Sequence, residues 1–110
     1  MIQEENFTCP VDVALRFVGG KYKAIILYHL FEKTLRFNQL QKLIPKATQK
    51  VLTQQLRELE ADGVIHREVY PVVPPKTEYS ITEFGRKLYP IISAMSEFGK
   101  DFLKNNLAKE

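Results

Sequence analysis

The stretch from Asn38 to Gly63 reads NQLQKLIPKATQKVLTQQLRELEADG and decides the fold. It contains two short amphipathic segments, NQLQKLI and TQKVLTQQLRELEADG, joined by the turn IPKA. Pro45 disfavours a helical conformation at the residue before it, so the first segment should end there. Thr48 can cap the second segment, and Gly63 stands where a left-handed C-cap belongs. These signals predict a helix–turn–helix at about residues 38–62.

The charge of this region has one sign. The window from Arg36 to Arg57 contains no Asp or Glu, although the chain has 13 acidic residues in all. Its basic residues are Arg36, Lys42, Lys46, Lys50 and Arg57. Cations attract DNA phosphates, and the amides of the intervening glutamines can bond to base edges. We therefore expect this region to bind double-stranded DNA.

Composition narrows the class of protein. The chain has 110 residues, 45% of them hydrophobic, and a net charge of +3. These values predict one folded domain over residues 1–110. No apolar run approaches the roughly 18 residues that suggest a membrane span, and IQEENFTCP after Met1 lacks the features of a secretory signal. Because a single cysteine cannot form an internal disulfide, we expect a reducing, cytoplasmic location.

The flanking sequence predicts the other elements of a winged helix. Upstream, Pro10–Val18 and Lys21–Phe31 resemble helices, and Leu35–Phe37 resembles a short strand before an N-cap at Asn38, with Gln41 three residues later to complete a capping box. Downstream, strand-like segments on both sides of PVVPP predict a hairpin, the wing, at about residues 64–81. The predicted fold class is mainly α with a small β-hairpin (α+β). It is a winged helix–turn–helix with added N- and C-terminal dimerisation helices.

The predicted C-terminal helix, at about residues 83–105, is longer than a winged domain needs. Large apolar residues recur along it in steps of four and three, at Phe84, Leu88, Ile91, Met95, Phe98 and Phe102. They could pack within the chain, but we favour contact with a second subunit that also involves the N-terminal helix. The predicted dimer interface is Val11, Leu15, Ile91, Met95, Phe98 and Phe102. Pro90 predicts a kink between Arg86 and Pro90.

Three groups of residues are predicted to contact DNA. They are Gln49, Lys50, Thr53, Gln54 and Arg57 on the second helix of the motif; Arg36, Lys46 and Thr48 beside it; and His66, Arg67 and Lys76 on the wing. Gln can pair with adenine, Arg or Lys with guanine, and Thr can contact the thymine methyl group. Wing cations suit phosphate or the minor groove. Each residue taken singly also fits an ordinary solvated surface.

Residues suited to catalysis or metal binding form no pattern. Cys9, His29 and His66 lack metal-ligand spacing, and Gly19-Gly20 lacks the further glycines of a nucleotide-binding loop. We expect no enzyme activity, no metal and no cofactor.

Cys9 permits two interpretations. It precedes Pro10 at a helix N-terminus, where the positive end of the helix can favour a thiolate, while Asp12 in the same turn opposes this. In the first interpretation, Cys9 is a sensor of oxidants or electrophiles. In the other interpretation it is a small, inert, buried residue.

Four segments carry a resemblance to a known family: CPVDVALRFVGGKYKAIIL, LRFNQLQKLIP, TQKVLTQQLRELEADGVIHREVY and VPPKTEYSITEFGRKLYPII. In combination they look like the HxlR family of bacterial transcriptional regulators, over about Cys9 to Phe102. The resemblance implies a dimer, joined through its terminal helices, that binds inverted-repeat operators with the fourth helix in the major groove. It also implies that some relatives sense oxidants, quinones or aldehydes through the cysteine equivalent to Cys9. The chain departs from the family at Tyr22, where Trp is usual, and at Lys23, where a small or polar residue is usual.

The sequence thus predicts a sequence-specific transcriptional regulator, a repressor, that binds an inverted-repeat operator as a homodimer and responds to oxidants or electrophiles through Cys9. One alternative is a winged-helix module that binds protein instead of DNA; the acid-free window argues against it. Another is a regulator that senses a small-molecule ligand at the dimer seam, which is compatible with DNA binding.

Overall fold

A computed structural model describes residues 7–108, so the ends of the predicted domain, residues 1–6 and 109–110, lie outside the described residues. In chain order the elements are α1 (Pro10–Val18), α2 (Lys23–Glu32), β1 (Leu35–Arg36), α3 (Phe37–Leu43), α4 (Gln49–Ala61), β2 (Ile65–Tyr70), β3 (Lys76–Ile81), a 3₁₀ helix (Gly85–Leu88) and α5 (Tyr89–Ala108). The fold is mainly helical with a small antiparallel sheet, and the predicted fold class is confirmed. Within residues 7–108, no helix combines the length and the apolar character that crossing a membrane requires.

The predicted helix–turn–helix is formed by α3 and α4. The side-chain oxygen of Thr48 accepts a hydrogen bond from the backbone N–H of Val51 (3.1 Å) and caps the start of α4. The amide of Gln41 donates to the carbonyl of Ala47 (2.7 Å), which closes the turn between the two helices. After α4, Gly63 has a φ of 77°, a conformation that costs glycine little because it has no Cβ.

The sheet joins the wing to the start of this motif. Its strand order is β1-β3-β2, and both pairings are antiparallel. The hairpin of β2 and β3 is the predicted wing, and residues 71–75 form its tip. β1 lies against β3 with Leu35 opposite Tyr79. The chain entering α3 is therefore held by the wing that follows α4.

The core lies under α4. Leu52, Leu56 and Leu59 on one face of this helix are no more than 1% exposed, and Ile26 and Leu27 of α2 are fully buried. Burying one such side chain contributes about 1.5–3 kcal/mol of transfer free energy. The leucine face therefore fixes α4 to the body of the protein and leaves the opposite face of the helix exposed.

The predicted N-cap at Asn38 is wrong. α3 begins at Phe37, two residues earlier than that cap implies, and the residue before it, Arg36, occupies the cap position. The backbone N–H of Arg36 donates to Oε1 of Gln39 (2.8 Å). Gln39, and not the predicted Gln41, therefore makes the reciprocal bond of the cap. Pairing of β1 with β3 fixes this register, and it places Gln41 in the turn contact instead.

The C-terminal segment also differs from the prediction of one helix kinked before Pro90. A 3₁₀ turn ends at Leu88, and α5 begins at Tyr89. Pro90 lies in the first turn of α5, where a missing N–H leaves no intrahelical bond unmade. Leu88 and Ile92 are buried against the core. Of the predicted apolar stripe only Leu88 is thus buried, whereas Phe84 before it and the four residues after it are exposed.

Candidate nucleic-acid interface

The outer face of α4 is made of amides, cations and one hydroxyl. The residues around a shallow open groove on this face are Gln49, Lys50, Thr53, Gln54 and Arg57. Thr53 is half-buried and the other four are exposed. Within residues 7–108, neither Lys50 nor Arg57 has an ion-pair partner. The structure therefore brings together the five side chains predicted for base and phosphate contact, with both charges free for a ligand.

The three flanking residues are placed differently from one another. Lys46 is exposed in the turn just before α4. Thr48 is exposed, but its oxygen is already used by the cap of α4. Arg36 lies opposite Glu78 across the sheet. Lys46 therefore extends the α4 surface, whereas Arg36 belongs to the side of the wing.

The three predicted wing residues do not share a face. Residues opposite each other on antiparallel strands project to the same side of a sheet, and neighbours along a strand alternate. By this register, His66 and Lys76 project to the side of Arg36, whereas Arg67 projects to the side of the buried Tyr79. Arg67 is nevertheless exposed.

Carboxylates on the wing lie beside two of its basic residues. Nζ of Lys76 lies 3.2 Å from Oε2 of Glu78, and Nε2 of His66 lies 2.9 Å from Oε1 of Glu68. The hydrogen bond from Lys76 lowers the pKa of Glu78 below its ordinary value of 4.5, and the charge of Arg36 acts in the same direction. Glu78 is therefore charged at neutral pH. In each pair the two residues are two positions apart in the sequence. Residues at that spacing project to the same side of a strand, so this spacing was the sequence signal for both pairs.

A third face of α4 carries polar residues that sequence reasoning missed. Its contacts run to α1 and α2: the backbone N–H of Tyr22 donates to Oε1 of Gln55 (3.1 Å), Nζ of Lys23 lies 2.7 Å from Oε1 of Glu58, and the guanidinium of Arg16 lies 3.0 Å from Oδ1 of Asp62. The only sequence signal was the spacing of Gln55, Glu58 and Asp62 by three and four, which places them on one side of a helix. These contacts tie α4 to the N-terminal part of the fold.

The residues predicted for dimerisation and sensing are all exposed in the single chain. The exposed fractions of the six apolar residues are Val11 66%, Leu15 54%, Ile91 37%, Met95 50%, Phe98 74% and Phe102 56%. The rings of Phe98 and Phe102 stack with centroids 6.4 Å apart. Cys9 is the N-cap residue of α1, as predicted, and is exposed. Residues 7–108 contain no cluster of three or more His, Cys, Asp or Glu suited to a metal ion.

Comparison with known families matches residues 17–107 to the HxlR-like helix-turn-helix family. The chain belongs to this family. Among its relatives, the HTH-type transcriptional regulator YdeP of Bacillus subtilis (strain 168) is 60% identical over 94 residues, which are 86% of this chain and 73% of YdeP. YybR of the same organism is 55% identical over 92 residues, 84% of this chain and 74% of YybR.

Solved structures of HxlR-like regulators agree with the fold. The redox regulator HypR in its oxidised form superimposes with a TM-score of 0.82 at 55% identity, covering 84% of this chain and 96% of the HypR chain. Its reduced form gives a TM-score of 0.83 at 50% identity, covering 93% and 100%. This HxlR-family chain is a transcriptional regulator of the helix–turn–helix type, a non-enzymatic role, and the predicted family is confirmed.

Proposed function

We propose that the protein is a homodimeric repressor that reads an inverted-repeat operator through α4 and changes its DNA binding when Cys9 is oxidised or alkylated. The observation that carries the proposal is the outer face of α4, where amides and unpaired cations project together from a helix held by a leucine core. The N-terminal half of such a helix normally meets base edges in the major groove. A dimer seated on an operator would repress by excluding other proteins from that DNA.

The dimer is supported by the apolar surface of the terminal helices. Six large apolar side chains on α1 and α5 remain exposed, more than scattered surface hydrophobics explain, and such patches mark interfaces. A two-fold axis through this surface would present two α4 helices in opposite orientation. An inverted repeat has the same symmetry, so each half-site would meet one subunit.

Selection from a random library of DNA duplexes tests this function. The purified protein should enrich an inverted repeat, and its affinity for that repeat should fall steeply as the salt concentration rises, because bound Lys and Arg displace counterions from phosphate. Enrichment of no duplex, together with capture of an acidic protein partner, would favour the protein-binding alternative.

Sensing through Cys9 is supported by its exposure at the N-terminus of α1 and by similarity to a redox regulator. In the proposed step a Cys9 thiol and a second thiol, from a small molecule or the other subunit, lose two protons and two electrons to the oxidant and form a disulfide. Mild oxidant or a quinone should then change operator affinity in the wild type but not in Cys9→Ser. If Cys9→Ser responds to the oxidant as strongly as the wild type does, this residue is excluded as the sensor.

A regulator that binds a small molecule at the dimer seam is the second candidate. The observation in its favour is a shallow groove between α2 and α5, lined by Ala24, Tyr28, Ile92, Met95 and Ser96. This groove adjoins the proposed dimer surface at Met95. A ligand seated there would alter operator affinity in Cys9→Ser as well as in the wild type, which distinguishes the two signals.

A further inference from the structure

The pairing of Lys23 with Glu58 places a charge in the interior of the fold. The side chain of Lys23 is 5% exposed and that of Glu58 is 39% exposed. The hydrogen bond from Lys23 lowers the pKa of Glu58 below its ordinary value of 4.5, so the carboxylate is charged at neutral pH. Well-packed apolar residues of similar volume are often as stabilising as a buried ion pair. Stability alone therefore does not explain this pair, whereas the fixed direction of its contact suits a positioning role.

A second directional contact lies one turn earlier on the same face of α4. Oε1 of Gln55 accepts from the backbone N–H of Tyr22. A Cβ added to Gly20 would lie 2.5 Å from that same oxygen, so a side chain at position 20 would require Gln55 to move and would disturb this contact. With contacts at Gln55 and Glu58, the rotation of α4 about its axis and its position along α2 are both constrained.

α2 connects these contacts to the proposed dimer helix. It packs against α5 as well as α4, and Ala24 and Tyr28 of α2 face Ile92 and Met95 of α5 across one groove. A lysine at position 23, the first residue of α2, thus joins the helix that meets α5 to the helix that faces DNA. Loss of the contact would let α4 turn relative to α5 without loss of the leucine core.

We propose that Lys23 and Gln55 are positioning residues that fix α4 relative to α5, the proposed dimer helix, and so determine which half-site spacing the regulator accepts. This inference rests on the proposed function. In a symmetric dimer, a rotation of α4 in each subunit changes the separation of the two recognition helices by twice the displacement. The base contacts within one half-site change much less, because the side chains that make them all lie on α4 and move with it.

The test uses the duplex selected by the wild-type protein, resynthesised with its half-sites moved one or two base pairs closer or further apart. Affinity for each duplex, and for a single half-site, is measured by fluorescence anisotropy for Lys23→Met, Gln55→Leu and Glu58→Gln. The matched controls are Lys33→Met and Glu60→Gln, which replace exposed residues at the end of α2 and on α4. Circular dichroism establishes that each variant is folded.

We expect the preference for the selected spacing to fall by about threefold or more in Lys23→Met and Gln55→Leu, the scale on which single residues alter coupling between sites. Affinity for the single half-site should stay close to that of the wild type, and both controls should keep the spacing preference. A merely structural role would instead weaken binding to all duplexes alike.

Wild-type spacing preference in folded Lys23→Met and Gln55→Leu would overturn the inference and leave the proposed function intact. If Lys23→Met does not fold, an unchanged preference in Gln55→Leu and Glu58→Gln overturns it equally, since these two replace partly exposed residues. Failure of the wild type to select any inverted repeat would overturn the proposed function itself, and the inference with it.

Discussion

Gln54 and Arg57 lie on the same outer face of α4, and their chemistry predicts different effects on DNA binding. The amide of Gln54 lies 3.4 Å from Oε2 of Glu58, which orients it at the surface. If it meets a base edge, Gln54→Ala should reduce discrimination between the selected operator and a single-base variant by about 1–3 kcal/mol. Arg57→Ala should weaken binding to all duplexes similarly. The number of counterions released on binding, given by the slope of log affinity against log salt concentration, should fall by about one.

Titrations of both variants at several salt concentrations, on operator and on unrelated DNA, measure these effects. Glu60→Ala is the control, because this exposed residue lies on the same helix away from the groove. An equal loss on every duplex for Gln54→Ala would show that this residue does not read a base.

Glu78 is expected to oppose DNA binding by the wing. Its carboxylate lies beside Lys76, on the side of the sheet that Arg36 shares. Glu78→Gln removes a negative charge and releases Lys76 for a phosphate, so affinity for any duplex should rise and the salt dependence should steepen by about one counterion. Glu83→Gln, at an exposed position after β3, is the control. Unchanged affinity and salt dependence in Glu78→Gln would place this side of the wing away from DNA.

At the scale of whole elements, the sequence predicted what local chemistry decides. Thr48 and Gly63 mark the ends of α4, and Pro10 marks the start of α1, because each restricts its own backbone or satisfies a neighbouring N–H. The outer face of α4 was equally accessible to prediction, since helical periodicity separates it from the leucines.

What the sequence could not predict depends on contacts between distant segments. β1 pairs with β3, and this pairing moved the cap of α3 from Asn38 to Arg36. Burial of Lys23 against Glu58 joins residues on different helices, and no periodicity within either helix indicates it. The split between Arg67 and the other two predicted wing residues follows from strand register, which is fixed only once the sheet is formed.

The exposed part of α5 supports a prediction about assembly. Replacing Met95 and Phe98 with glutamate would place charges within the proposed dimer surface, where burial without partners is unfavourable. We expect sedimentation to show a dimer for the wild type at micromolar concentration and a monomer or aggregate for this variant. Operator affinity should fall with dimerisation, since two half-sites are no longer bound together. Lys104→Glu, on the same helix, should remain dimeric; a monomeric wild type would contradict the assignment.

At the scale of the whole molecule, the fold separates three surfaces and connects them through α2. The outer face of α4 points away from the leucine core, α1 and α5 expose the apolar residues, and residues 71–75 at the tip of the wing are exposed. The described residues span 52 × 41 × 24 Å. Two successive major-groove segments on one side of DNA are about 34 Å apart, so a dimer of such chains is large enough to place one α4 in each.

Operator binding by a variant without the charged and amide groups of α4 tests the central claim most directly. In this variant Lys50, Gln54 and Arg57, all exposed, are replaced together by alanine. Because the leucine face is untouched, the variant should fold and dimerise as the wild type does, while its affinity for the selected inverted repeat falls to that for unrelated DNA. Full operator affinity in the folded triple variant would contradict the account, because DNA would then be read by another surface.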